Sequence, residues 1–71
     1  MQYYVVYEVA NDGGWGAYVP DLPGCIACGD TLEETEQIMK EAIELYIEAL
    51  KEDGQSIPEP TTTAKSIMIA A

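Results

Sequence analysis

Two cysteines and a few scattered carboxylates are the side chains whose types and spacing could carry chemistry. Cys25-Ile-Ala-Cys28 is a Cys-x-x-Cys motif, a spacing used by redox pairs and by zinc ligands. A thioredoxin-type pair draws its low thiol pKa from a helix N-terminus. This pair precedes the helix cap at Thr31 and falls in an extended run, where residues three apart face opposite sides. Opposite faces are too far apart for a relaxed disulfide. A structural zinc takes four ligands, whereas one chain offers two thiols and no histidine. A four-thiolate site across a dimer is the arrangement left to a metal. The preferred reading is two reduced thiols, with no metal and no cofactor.

The carboxylates admit a second chemistry. A metal-dependent nuclease needs two or more acids converging on a cation, and Glu8, Asp21 and Asp30 lie on or beside separate strands. Two of them also have an ordinary structural place: Asp21 in a turn between two prolines, Asp30 just before a helix cap. Ser56 and Ser66 have no histidine to serve as base. Gly13-Gly14 opens a hairpin and not a helix, so it is no phosphate loop. No catalytic residue is assigned, and the chain reads as a non-enzymatic recognition module.

The charge balance narrows the partners. Thirteen carboxylates stand against three lysines, for a net charge of −10 over 71 residues. Such a surface has almost nothing with which to neutralise phosphates, so direct nucleic-acid binding is excluded, as is an anionic membrane surface. A basic protein partner is favoured by the field of the whole molecule. With 48% apolar residues the chain is a globular folder. It forms a single domain, residues 1–71, small enough that self-association would complete its core. No apolar run reaches the roughly 20 residues of a membrane span. No basic N-terminal region marks a signal peptide, and a cytoplasmic location is expected.

The elements that position these residues follow from periodicity. Residues 2–10 alternate, with Tyr3, Val5, Tyr7 and Val9 on one face and Tyr4, Val6 and Glu8 on the other. Asn11-Asp12-Gly13-Gly14 is a hairpin turn, and residues 15–19 return. Pro20-Asp21-Leu22-Pro23-Gly24 is a rigid corner that no central strand can cross. Residues 25–29 form a short third strand. Thr31 and Glu34 make a Thr-x-x-Glu capping box, which starts a helix running from Leu32 to about Asp53, with Gly54 as its left-handed end. Leu32, Met39, Ile43, Tyr46 and Leu50 line its apolar stripe, widened by Ile38, Ala42, Leu45 and Ala49 on one side and Ile47 on the other. That arc of roughly 200° exceeds what packing on one sheet requires. Ile38, Leu45 and Ala49 are therefore expected at an interface between copies. Glu36 falls at the edge of the arc as a rim contact. Residues 55–63 cross back toward the sheet, and residues 64–70 read as a last strand with Ile67 and Ile69 on one face. The fold class is α+β: β-β-β-α-β, an antiparallel-rich sheet with one long helix packed on one face.

The pattern Trp15-x-Ala-Tyr-Val-Pro-Asp-Leu-Pro-Gly-Cys25, then Gly29-Asp-Thr-Leu-Glu-Glu34, then Glu52-Asp-Gly54 and Ile57-Pro-Glu-Pro60, resembles the HicB family of antitoxins across nearly the whole chain. The resemblance implies a partial ribonuclease-H-like fold. It also implies a partner: a small basic HicA-like toxin, which cleaves messenger RNA and is masked by the antitoxin. Longer family members carry a C-terminal DNA-binding segment; these residues contain none, so operator binding by this chain alone is not expected. Residues 35–36 are Thr-Glu where the family often has Ala-Leu, which bears on the packing of the first helical turn. For contact with the toxin, the acids Glu33, Glu41, Glu44 and Glu48 on the exposed helix face are expected, with Asp21 on the corner. A homodimer or higher oligomer is expected as well. The alternatives are an orphan oligomeric binding domain and the metal-dependent nuclease.

Overall fold

The computed structural model describes residues 1–71. Three strands, β1 (Val6–Val9), β2 (Trp15–Tyr18) and β3 (Ile26–Gly29), form an antiparallel sheet in the order β1-β2-β3. A single helix, α1 (Leu32–Glu52), follows and lies across β3 and β2.

The hairpin closes where the glycines allow it. Gly13 adopts φ +90°, its N–H donates to the Ala10 carbonyl at 3.0 Å, and Ala10 N–H donates to the Gly14 carbonyl at 2.7 Å. β1 is shorter than the alternation from residue 2 predicts, because its partner runs out. Val6 pairs with Tyr18; the Val19 N–H faces β3 and is given to Cys25, and the next residue whose N–H would face β1 is Pro20, which has none. Residues 2–5 therefore pack on the core through Tyr3 and Val5 without joining the ladder.

The proline corner is a compact knot. Leu22 N–H donates to Val19 and Cys25 N–H to Leu22, at 3.1 and 3.0 Å. This turns Leu22 inward, where it is fully buried with Val19, Cys25, Ala17, Ala27 and Met39. Burying a leucine of this kind contributes about 2 kcal/mol, so the corner is part of the core as well as a connection.

α1 begins and ends on its sequence signals. Thr31 is extended and accepts from Glu34 N–H at 3.0 Å, while the Glu34 carboxylate accepts from Asp30 N–H at 3.1 Å. The acid thus reaches one residue further back than the usual box. At the far end Gly54 sits at φ +69°. Its N–H reaches the Lys51 carbonyl, and Gln55 N–H reaches Leu50, the paired bonds of a Schellman motif.

Beyond the helix, Tyr3 hydroxyl donates to the Pro58 carbonyl, and Asp21 receives Thr61 and Thr62, so residues 55–62 cross back toward the sheet and are held at the segments flanking it. The fourth strand is a correction. Residues 63–71 carry no regular structure and make no hydrogen bond. A strand exists only with a neighbour to pair with, and past the Thr61–Thr62 attachment this segment meets none within its own chain. The observed order is β-β-β-α.

Candidate functional site

The corner places Asp21 at the meeting point of three elements. Its Oδ2 accepts from the backbone N–H groups of Thr61 and Thr62, both at 3.1 Å, and its Oδ1 from their hydroxyls at 3.0 and 2.9 Å. Four donors, the Thr62 N–H foremost, hold the carboxyl below its ordinary pKa. Nearby, Tyr46 hydroxyl donates to the Pro23 carbonyl at 2.8 Å, tying α1 to the same corner. The carboxylate expected at a partner is thus used inside the chain. Its partners lie forty residues away, and no local pattern in the sequence signals them.

The other candidate acids of the nuclease reading do not come together. Asp30 N–H belongs to the helix cap, at the end of β3 away from the corner. Glu8 pairs with Gly16 on the uncovered face of the sheet. No group of three or more potential ligands that could hold a metal ion is formed.

The two thiols fall on opposite sides of the sheet: Cys25 is buried and Cys28 exposed, both free. Cys25 sulfur lies 3.9 Å from the Met39 sulfur, and burial raises its pKa.

The first helical turn, where Thr35 and Glu36 stand, is packed closely. Thr35 is fully buried, with its hydroxyl donating to the Thr31 carbonyl at 2.8 Å. Gly29 permits this: a Cβ there would stand 2.6 Å from Thr35 Oγ1. Glu36 is exposed and, after burial, is the second cause of a raised pKa at Tyr7.

The largest surface features lie along α1. Only Thr35 and Met39 of the helix are fully buried. Ala42, Ile43, Tyr46 and Ile47 pack partly on the core. Glu33, Glu41, Glu44 and Glu48 are all exposed. Ile38, Leu45 and Ala49 form an exposed ridge beside them, Leu45 at 66%. On the opposite flank of the helix, Tyr3, Ile43, Ile47 and Ile57 line an open groove of about 590 Å³, with Glu44 and Glu48 at its rim. The free face of the sheet adds Tyr4, Tyr18 and Ile26, each 43% exposed or more. No helix is long and apolar enough to cross a membrane.

A short antiparallel sheet, one acidic helix and uncovered apolar ridges define a small α+β domain. A family model for the HicB-like antitoxin of bacterial toxin–antitoxin systems matches residues 3–69. The chain belongs to that family. A UPF0150 protein of Synechocystis sp. is 45% identical over 94% of this chain and 85% of its own length. Antitoxin HicB 2 of Photorhabdus laumondii is 31% identical over 96% of this chain, which spans 48% of that antitoxin. Among solved structures, the N-terminal domain of the Burkholderia pseudomallei antitoxin HicB superposes with a TM-score of 0.75 and 27% identity, over 83% of this chain and 69% of that one. A chain of a HicA3 and HicB3 toxin–antitoxin complex gives 0.71 and 29%, over 87% and 72%.

Proposed function

We propose that this chain is the antitoxin of a type II toxin–antitoxin pair and that it acts by binding and masking a HicA-like mRNA-cleaving toxin, without catalysis of its own. The observation that carries this reading is the family membership over residues 3–69, joined to the likeness to a chain from a HicA3 and HicB3 complex. The net charge of −10 supports a basic partner. We assign the electrostatic contact to Glu33, Glu41, Glu44 and Glu48. Asp21 contributes by holding the corner and residues 61–62 in place. Ile38, Leu45 and Ala49, exposed in the single chain, are assigned to contact between copies in a homo-oligomer. The pair is placed in the cytoplasm, where messenger RNA is the toxin's target.

Co-expression with a cognate HicA-like toxin, sought in the reading frame beside this gene, is the test. Growth should be restored, and toxin and antitoxin should travel as one peak in gel filtration. Continued arrest together with separate peaks refutes the reading.

A further inference from the structure

Residues 63–71 are out of keeping with the rest of the molecule. Ile67, Met68 and Ile69 are 81%, 97% and 74% exposed, and no hydrogen bond involves the segment. The molecule measures 49 × 27 × 16 Å, whereas its 21-residue helix accounts for about 31 Å at 1.5 Å per residue. Its radius of gyration is 14.0 Å, against about 11 Å for a compact chain of this length. The tail stands away from its own body, beyond the Thr61–Thr62 attachment to Asp21.

Its sequence is nonetheless that of a strand. Lys65, Ile67 and Ile69 share one face and Ser66 and Met68 the other. An isolated extended segment leaves every N–H and C=O to water and cannot offset its ordering entropy. The body offers a matching vacancy. β1 is an edge of the sheet, with a free row of backbone groups. α1 lies over β3 and β2, and the groove of Tyr3, Ile43, Ile47 and Ile57 lies between the helix and the N-terminal segment that leads into β1.

We propose that residues 64–70 of one copy add as a strand to the β1 edge of a second copy. Ile67 and Ile69 fill the groove of Tyr3, Ile43, Ile47 and Ile57. Lys65, the only charged side chain in the tail, lies on the same face as the two isoleucines. Met68 joins Tyr4 and Val6 on the other face. Each copy gives one tail and receives one, so the exchange closes as a two-fold dimer. It restores in trans the four-stranded sheet that the sequence pattern predicts and the single chain lacks. This inference does not depend on the antitoxin reading, and its test needs no toxin.

The test uses the full chain. Light scattering after gel filtration should return an even multiple of 7.7 kDa. In a mixture of isotope-labelled and unlabelled chains, filtered NOEs should join the Ile67 and Ile69 methyls of one copy to Tyr3, Ile43 or Ile47 of another. The double substitution Ile67→Asp, Ile69→Asp should lower the mass, with its helical circular dichroism retained, and Ile67→Val, Ile69→Val should keep it. A monomeric wild type, NOEs confined to one chain, or an unchanged mass in the folded aspartate variant each overturns the proposal. If the aspartate variant loses its helix signal, the filtered NOEs decide alone.

Discussion

Asp21 shows how one carboxylate can join distant parts of a small chain. Its four hydrogen bonds connect the corner to Thr61 and Thr62. Because the folded-state pKa is depressed, the stability it contributes is present above the unfolded value of about 4 and is lost as pH falls through the folded value. Acid should therefore release residues 61–62, and Asp21→Asn should release them at neutral pH. Hydrogen exchange at the Thr61 and Thr62 amides reads both. The phenols act in the opposite direction. Burial, and then Glu59 and Asp21, raise Tyr3; burial, and then Glu36, raises Tyr7. Their contribution holds below about pH 10 and is lost as pH rises through the folded values, so alkaline unfolding should begin above that point. The thiols separate cleanly. At neutral pH a disulfide reagent should label one thiol per chain, Cys28, at once, and Cys25 only on unfolding. Simultaneous labelling of both contradicts the assigned faces. The cysteines' opposite faces were legible from strand parity; the Asp21 contacts were not, because nothing local encodes a partner forty residues on.

At the scale of elements, the junction of β3 and α1 is the tightest place. Gly29→Ala would press a methyl group against Thr35 Oγ1, at about 1–3 kcal/mol for an overpacked site. Thr35→Ala in the same chain removes that atom and should recover part of the loss. Urea midpoints of the two single variants and the double variant measure the coupling. Thr31→Ala should cost about 1 kcal/mol, the usual value of a helix cap. Both helix ends were readable because Thr31, Glu34 and Gly54 act locally. Strand lengths were not, since pairing depends on a neighbour: β1 stops where Pro20 has no N–H to give it. The predicted last strand fails within the single chain for the same physical reason.

For the whole molecule, charge and exposed apolar surface decide what it can do. Thirteen acids and three lysines favour a basic partner and make encounter sensitive to salt. Replacing Glu33, Glu41, Glu44 and Glu48 together by Gln should slow association with the toxin about tenfold or more at low ionic strength and flatten its salt dependence. Stopped-flow mixing measures this, and an unchanged rate removes these acids from the contact. Such a surface could be read in outline from composition, and the family from its spaced motifs. Which carboxylates stay free and which serve the fold needed the three-dimensional arrangement. If this chain silences its toxin by binding it, the inhibition is stoichiometric. Titration of a HicA-like toxin with the chain, following cleavage of a messenger RNA, measures this. Cleavage should stop at a fixed ratio of chains; cleavage that continues unchanged in a large excess of this protein refutes inhibition by binding.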